Sequence, residues 1–263
     1  MRQEFPLFRG LRFEEVALPS GARHRLPLRY HDWSAMTATF PAPAAALAGL
    51  VRDPGLAPLE LLPGRGLITF AAMDYREMDG LPPYAEFAVL VPVRERAAAR
   101  GFSLLPSLFP EIGVWVDWLP VTTPAAEEFG RAVWGYPKEQ AAITFEDRGD
   151  WRVCRVVQDG RLVVALRVRR LPLAPRAQDY HTYTQLDGRR VKALVQTRGD
   201  TGVSRFARDA AFRLGPHPRG RALAALRIKP APVESVFAPH IHSLLFPGNR
   251  EAAGFRGGEG AGA

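Results

Sequence analysis

The segment from Val121 to Glu146, VTTPAAEEFGRAVWGYPKEQAAITFE, constrains the fold of this chain more than any other. Thr123 is suited to cap a helix that begins at Pro124, because its hydroxyl can accept a backbone N–H and proline fits the first helical position. Gly135 is suited to end that helix, because glycine readily adopts the left-handed conformation found at helix ends. The segment therefore predicts a short helix with both ends defined.

The residues after this helix give one lysine a fixed place. Pro137 cannot continue a helix, and it holds the preceding Tyr136 in an extended conformation. Ala141–Phe145 then predicts a strand. Lys138 is therefore expected on a rigid turn between a helix and a strand.

Lysine is rare in this chain, which makes Lys138 unusual. Of the 35 Lys and Arg residues only three are lysine, namely Lys138, Lys192 and Lys229, and the rest are arginine. Arginine does not deprotonate in proteins, whereas a lysine becomes nucleophilic when desolvation or a neighbouring cation lowers its pKa. Lys138 is accordingly either a nucleophile or a solvated lysine of a turn.

Strands dominate the rest of the predicted structure. Alternating apolar and polar residues bounded by turn residues predict strands at Ser34–Phe40, Gly66–Asp74, Tyr84–Val93, Ile112–Leu119, Phe206–Leu214 and Pro232–Leu245. Turns containing Asp-Gly predict two hairpins, Trp151–Val157 with Leu162–Arg169 and Tyr180–Leu186 with Val191–Arg198. Short helices are predicted at Ala44–Val51 and Arg221–Arg227, and residues 1–33 are expected to form an irregular arm or an edge strand.

Many strands, few helices, and 24 Gly with 24 Pro to punctuate them predict a mainly β fold with short helices, of α+β type. We expect a single domain over residues 1–247, followed by a mobile Gly-rich tail over residues 248–263. An antiparallel sheet closed into a barrel satisfies this pattern, because closure removes exposed sheet edges.

Composition argues against several classes of function. The formal net charge is +8, but the arginines are dispersed and no basic block with interleaved aromatics is present, so no nucleic-acid partner is expected. No apolar run is long enough to span a membrane, and charges interrupt the first residues, so a cytoplasmic protein is expected. The single Cys154 is expected to be a core thiol. His240 and His242 lack an evident third ligand, so no metal site is predicted.

The sequence GRAVWGYPKEQ resembles the active-site segment of the acetoacetate decarboxylase family, whose imine-forming lysine corresponds to Lys138. Weaker similarity extends from about Ala71 to the C-terminal strand. The resemblance implies a cone-like antiparallel barrel with small helices outside it, a homo-oligomer, and lysine imine chemistry that needs no cofactor.

The resemblance also implies other residues of the site. Glu86, an acid within the apolar strand YAEFAVLVPV, corresponds to a glutamate of the family's catalytic pocket, although an outward-facing strand residue is the alternative. We name Tyr136, Glu139 and Trp118 as candidate substrate-binding residues.

Two departures from the family pattern leave the reaction open. The family's second lysine is replaced by Glu139, and another family glutamate corresponds to Ala71. No arginine matches the one expected to bind a substrate carboxylate: Trp33 stands at the aligned position, with Arg23, Arg25 and Arg29 nearby in sequence.

The expected function is that of a lyase that forms an imine with a small oxo acid or carbonyl compound, as a decarboxylase does. One alternative is an aldolase or dehydratase that condenses oxo acids with aldehydes through the same lysine. The other is a barrel that binds a small ligand without catalysis.

Overall fold

The computed structural model describes residues 5–96 and 113–251. Three α-helices and one 3-10 turn lie among many strands: α1 (Ala44–Ala48), α2 (Pro124–Trp134), α3 (Pro218–Ala225) and the turn Pro6–Phe8. The strands are β1 (Glu14–Ala17), β2 (Arg23–Leu26), β3 (Leu28–Pro43), β4 (Leu56–Pro58), β5 (Glu60–Leu62), β6 (Arg65–Met78), β7 (Tyr84–Glu95), β8 (Gly113–Val121), β9 (Lys138–Gln140), β10 (Ala142–Arg148), β11 (Trp151–Gln158), β12 (Arg161–Arg169), β13 (Ala174–Leu186), β14 (Arg189–Arg205), β15 (Ala210–Leu214), β16 (Glu234–Leu245) and β17 (Asn249–Glu251).

Seven long strands close into a barrel in the order β7-β6-β3-β16-β14-β13-β8, and β8 pairs back to β7. Most neighbours are antiparallel, as predicted, but β8 pairs in parallel with both β13 and β9. It divides one edge between them: Gly113–Trp115 pair with β13, and Leu119–Val121 pair with β9. The predicted mainly β, single-domain barrel is confirmed, with this parallel seam as an addition.

Barrel strands such as β3, β6 and β7 bury side chains on both faces, because the barrel interior is apolar and a second sheet packs against the outside of the barrel. That outer sheet has the order β10-β11-β12-β15. On β7, Phe87 and Val89 belong to the core that the barrel shares with the outer sheet, whereas Tyr84 and Ala88 belong to the core of the interior. Side chains alternate along a strand, so Glu86 lies on the interior face with Tyr84.

Several element boundaries differ from the predictions. Strand β3 begins at Leu28 instead of Ser34, so part of the predicted arm belongs to the barrel, and β1 pairs with β2 ahead of it. Helix α3 begins at Pro218, since the His217 side chain accepts the Arg219 N–H and caps the helix. The predicted residue Ile112 lies outside the described ranges.

At the C-terminus, residues 249–251 pair with β14 as strand β17, within the region predicted to be a tail. Residues 252–263 of that predicted tail lie outside the described ranges. None of the helices in those ranges is long and apolar enough to cross a membrane.

A buried ion pair fastens the loop after α1 to the outside of the barrel. The Arg190 guanidinium donates to both carboxylate oxygens of Asp53, at 2.8 and 2.7 Å, and the Gly55 N–H donates to the same carboxylate. Burial alone would raise the pKa of Asp53, but the Arg190 and Gly55 hydrogen bonds outweigh it and lower that pKa. The carboxylate therefore stabilises the folded chain in its charged form.

We expect Asp53→Asn to lower the free energy of unfolding by about 3 kcal/mol at pH 7, because removing one partner of a buried pair leaves the other charge uncompensated. A depressed folded pKa contributes stability that is complete above the unfolded value of about 3.9 and is lost as pH falls through the folded value. The difference between wild type and variant should therefore shrink below about pH 4, as measured by urea unfolding across pH.

Asp79→Asn is the matched control, because its pair with Arg29 is partly exposed. We expect a loss below about 1 kcal/mol there. An equal loss in the two variants would contradict the structural role given to Asp53.

Candidate active site

The segment around Lys138 folds as its sequence dictates. The Thr123 hydroxyl accepts the Ala126 N–H and caps α2, and Gly135 ends the helix with φ 63° in the left-handed region. Pro137 follows, and Lys138 begins the short strand β9, where it pairs with Leu119. The predicted turn at Lys138 is thus a strand, so neighbouring side chains along it point in opposite directions.

The Lys138 side chain extends into the barrel interior against α2. It is 6% exposed, and a Cβ placed on Gly130 of α2 would lie 2.5 Å from Lys138 Cδ and Cε. Glycine at this position leaves the space that the lysine stem occupies. The next helical residue holds the lysine backbone, because Arg131 Nη1 donates to the Lys138 carbonyl oxygen at 3.1 Å.

Glu86 faces the same interior from β7. Its Oε2 lies 2.7 Å from Lys138 Nζ, and its side chain is 7% exposed. Among the described residues Oε2 has no partner with good hydrogen-bond geometry, so the contact with Nζ is a close ion pair rather than a directed hydrogen bond. The Tyr75 hydroxyl donates to the other oxygen, Oε1, at 3.4 Å.

Tyrosines surround this pair. The Tyr84 ring centroid lies 5.2 Å from Lys138 Nζ, and its ring packs against that of Tyr75 at 4.7 Å. Tyr30 also packs against Tyr75, with ring centroids 4.8 Å apart. Burial, followed by the charge of Glu86, raises the pKa of Tyr30 and Tyr75, and the same two causes raise the pKa of Tyr180 to about 12. The hydroxyls are therefore neutral donors near neutral pH.

Tyr136, a predicted substrate-binding residue, also lies in the interior. Its hydroxyl is 2.8 Å from Thr182 Oγ1 on β13, and burial raises its pKa. This contact joins the segment that carries Lys138 to the strand on the other side of the parallel seam. Tyr136 therefore lies in the interior and, through this contact, also holds its own segment against β13.

The other two predicted substrate-binding residues lie on the outer face of the barrel. The Trp118 indole N–H donates to Glu139 Oε1, and Gln158 of the outer sheet donates to the same oxygen at 3.1 Å. Trp118 belongs to the core shared with the outer sheet. The structure therefore does not bring Glu139 and Trp118 together with Lys138, because the strands that carry them direct their side chains outward.

The structure places the residues at which the sequence departs from the family pattern, and the nearby arginines. Ala71 lies on the interior face and contributes no charge there. Arg29 is bound by Asp79, Arg23 is paired with Glu15, and Arg25 is exposed, so none of the three points into the interior. Within residues 5–96 and 113–251 no group of three or more His, Cys, Asp or Glu side chains is placed to hold a metal ion.

Most of the residues around Lys138 and Glu86 were not predicted from the sequence, namely Tyr30, Tyr75, Tyr84, Tyr180, Thr182 and Gly130. One of them could have been predicted: side chains two residues apart on a strand lie on the same face, so Tyr84 shares a face with Glu86. As a unit, the arrangement places one amine, one carboxylate and several neutral hydroxyls in a water-poor interior. Such a site can form a covalent bond to a carbonyl carbon and move a proton beside it.

Comparisons with solved structures show the same fold. Acetoacetate decarboxylase from Legionella pneumophila subsp. pneumophila str. Philadelphia 1 matches with a TM-score of 0.61 and 18% identity, over 86% of this chain and 87% of that one. The enduracididine biosynthesis enzyme MppR, in complex with the condensation product of pyruvate and imidazole 4-carboxaldehyde, matches with a TM-score of 0.59 and 13% identity, over 85% and 88%. An acetoacetate decarboxylase-like enzyme from Sphingomonas wittichii RW1 matches with a TM-score of 0.52 and 16% identity, over 86% and 93%.

No curated protein matches the chain in sequence. The family model described as acetoacetate decarboxylase (ADC), however, matches residues 16–238, which span the barrel from β1 into β16 and include Glu86 and Lys138. This chain therefore belongs to the acetoacetate decarboxylase family.

Proposed function

We propose that this protein is a lyase that forms an imine between the Lys138 amine and a small oxo acid or other carbonyl compound. One observation carries the proposal: the only lysine of the three that is fully buried has its amine 2.7 Å from a buried carboxylate. A buried amine with an acid–base partner is what imine formation requires, since the amine must give up its proton before it attacks.

Glu86 is placed to take that proton. Transfer from Nζ to Oε2 across 2.7 Å leaves a neutral amine and a neutral acid, which removes two buried charges at once. The amine nitrogen then attacks the carbonyl carbon. The carbonyl oxygen departs as water, with protons supplied by Glu86 and by the amine itself, and a positively charged iminium remains.

The iminium can accept the electron pair of a neighbouring bond. In a decarboxylation the bond to the carboxylate carbon breaks, carbon dioxide leaves, and the electrons form an enamine. Protonation of the enamine carbon and hydrolysis of the imine then restore the lysine. Glu86 is within reach to return that proton. Matches to solved acetoacetate decarboxylases support this reaction.

An aldol-type reaction is the second candidate, and the position of Glu86 favours it. A carboxylate in contact with the iminium nitrogen can remove a proton from the adjacent carbon, which gives the same enamine without loss of carbon dioxide. The enamine carbon then attacks a second carbonyl. The match to MppR, whose structure contains a condensation product of pyruvate and an aldehyde, supports this route. We propose that either reaction runs in a homo-oligomer, as the family resemblance implies, and that the protein is cytoplasmic, as its composition leads us to expect.

Borohydride reduction in the presence of acetoacetate, pyruvate or acetone should add mass to the peptide that contains Lys138 and to neither of the peptides with Lys192 and Lys229. The reason is that only Lys138 combines burial with a carboxylate partner. Peptide mass spectrometry of the wild type makes this measurement. Lys138→Ala should lose the adduct and turnover, whereas Lys192→Ala and Lys229→Ala should keep both. Folded protein that gives no adduct with any of these carbonyls would defeat the proposal and favour a non-catalytic binding barrel.

Gly130→Ala should reduce the rate of imine trapping at least tenfold while leaving the fold intact. Alanine favours a helix over glycine by about 1 kcal/mol, so helix propensity alone would stabilise the variant. The added Cβ would nevertheless displace the Lys138 side chain, whose flexible end is what can move. Trapping rates and thermal unfolding together test this.

Gly49→Ala is the matched control, because the nearest atom to its Cβ is an ordinary contact at 3.5 Å. It should trap as wild type does. Unchanged trapping in Gly130→Ala would show that the lysine is not held by this contact.

Glu86→Gln should lower kcat by about 10²–10⁴-fold, the usual contribution of a positioned acid–base group. A glutamine keeps the shape but cannot carry the proton. Steady-state kinetics on the best substrate found by trapping would measure the loss, with Asp74→Asn as the control, because Asp74 lies on the outer face and is bound by Arg152. Near wild-type turnover in Glu86→Gln would remove Glu86 from the mechanism.

A further inference from the structure

The interior around Lys138 holds one cation, and one anion already compensates it. Glu86 contacts the amine that would react, at 2.7 Å. A substrate carboxylate on the same carbon skeleton would have to enter within a few ångströms of this anion. That carboxylate would be a further charge with no unpaired cation beside it, and a desolvated charge without a partner is costly, so the site needs a second cation to accept such a substrate.

The described residues place their other buried cations elsewhere. Besides Lys138, the buried basic residues among them are His24 and Arg190. Arg190 is bound by Asp53 on the outer face of the barrel. His24 stacks on Phe129 at 4.2 Å, and burial lowers its pKa, so it is neutral near pH 7.

What the described interior offers instead is a set of neutral hydroxyls. Tyr75 reaches Glu86, Tyr84 lies over the Lys138 amine, and Tyr136 pairs with Thr182. Phenol hydroxyls donate to a carbonyl or hydroxyl oxygen without requiring that it be charged. Their rings, packed together with Trp33, form an apolar wall.

We propose that the substrate that reacts with Lys138 is an uncharged aldehyde or ketone, and that the reaction is therefore of the aldol type rather than a decarboxylation. This inference rests on the proposed imine chemistry and narrows its substrate class. A substrate without a free carboxylate has no carbon dioxide to lose. Tyrosine hydroxyls bind its oxygen, and Glu86 is the single anion of the described interior that it meets.

The reaction balances with a second carbonyl compound as co-reactant. Lys138 forms the iminium with loss of water, and Glu86 takes a proton from the adjacent carbon. The C–H electron pair becomes the enamine double bond, and the enamine carbon attacks the carbonyl carbon of the second molecule. The resulting alkoxide takes the proton held by Glu86, and water releases the product from the lysine. The reverse sequence cleaves a β-hydroxy carbonyl compound.

A matched pair of ketones tests the charge of the substrate. Levulinate and methyl levulinate carry the same ketone and differ in the free carboxylate alone. Each is incubated with the full-length protein and cyanoborohydride at several concentrations, and the initial rate of adduct formation on the Lys138 peptide is measured by mass spectrometry. Their rates with N-acetyl-lysine correct for intrinsic reactivity. Hydrolysis of the ester would be visible, because the two adducts differ by one methylene.

We expect the ester to label Lys138 at least tenfold faster than the free acid. In Glu86→Gln this preference should fall below about threefold, because Glu86 no longer compensates the lysine charge, which is then left for a substrate carboxylate. Asp74→Asn, which removes a carboxylate from the outer face, should keep the wild-type preference. If Glu86→Gln labels too slowly to give a preference, the ratio of the ester rate to the acid rate in the wild type still tests the proposal.

The two proposals fail in different ways. Equal labelling, or faster labelling by levulinate, overturns the uncharged-substrate proposal and leaves the imine chemistry standing. No labelling of Lys138 by either ketone, or by acetone, overturns the imine proposal itself. Carbon dioxide released from an oxo acid at rates typical of enzymes, on the order of 1 s⁻¹ or more, also overturns the uncharged-substrate proposal.

Discussion

An amine and a carboxylate 2.7 Å apart inside a closed sheet are the constraint around which this molecule is built. Desolvating both charges is expensive, and the cost is offset only while the two groups remain close together. The barrel keeps them close by carrying Glu86 and Lys138 on strands that flank β8 on its two edges. In the proposed mechanism, one proton transfer within this pair removes both charges and leaves an amine that can attack a carbonyl carbon.

The helix before Lys138 holds this pair in place besides contributing Ala126, Phe129 and Trp134 to the core. Its last turns bring Gly130 against the lysine stem and Arg131 against the lysine carbonyl. Gly135 and Pro137 then turn the chain so that β9 runs parallel to β8. Each of these residues limits the positions open to one side chain. The amine therefore needs little further ordering when a substrate arrives, and preorganisation of this kind lowers the barrier to reaction.

The parts of the fold that could be predicted from sequence are those whose causes are local. The cap at Thr123 and the ends of α2 follow from neighbouring residues, and the Asp-Gly hairpins follow from turn chemistry. The direction of Glu86 could not be settled in this way. Both faces of β7 are buried, so no polar face marks the outside, and alternation alone does not say which face is the interior.

The outward directions of Glu139 and Trp118 have a related cause. Predicting a turn at Lys138 left the direction of Glu139 open, whereas a strand there sends it to the face opposite the lysine. Trp118 lies just after an irregularity in the pairing of β7 with β8, which shifts the alternation along β8. Tyr30 comes from a strand distant in sequence, so its approach to this site depends on the closed barrel and has no local signal, whereas Tyr75 lies on β6, which pairs directly with β7.

The divided edge of β8 has a consequence for how the molecule loses activity. Strand β9 is three residues long and, among the described strands, pairs with β8 alone, whereas the seven-strand ring closes through β13 without it. Lys138, the proposed reactive lysine, thus lies on a segment that the ring does not need for closure. Heat should detach this piece while the surrounding sheet remains intact, so inactivation should set in several degrees below global melting, as expected where local opening costs less than global unfolding.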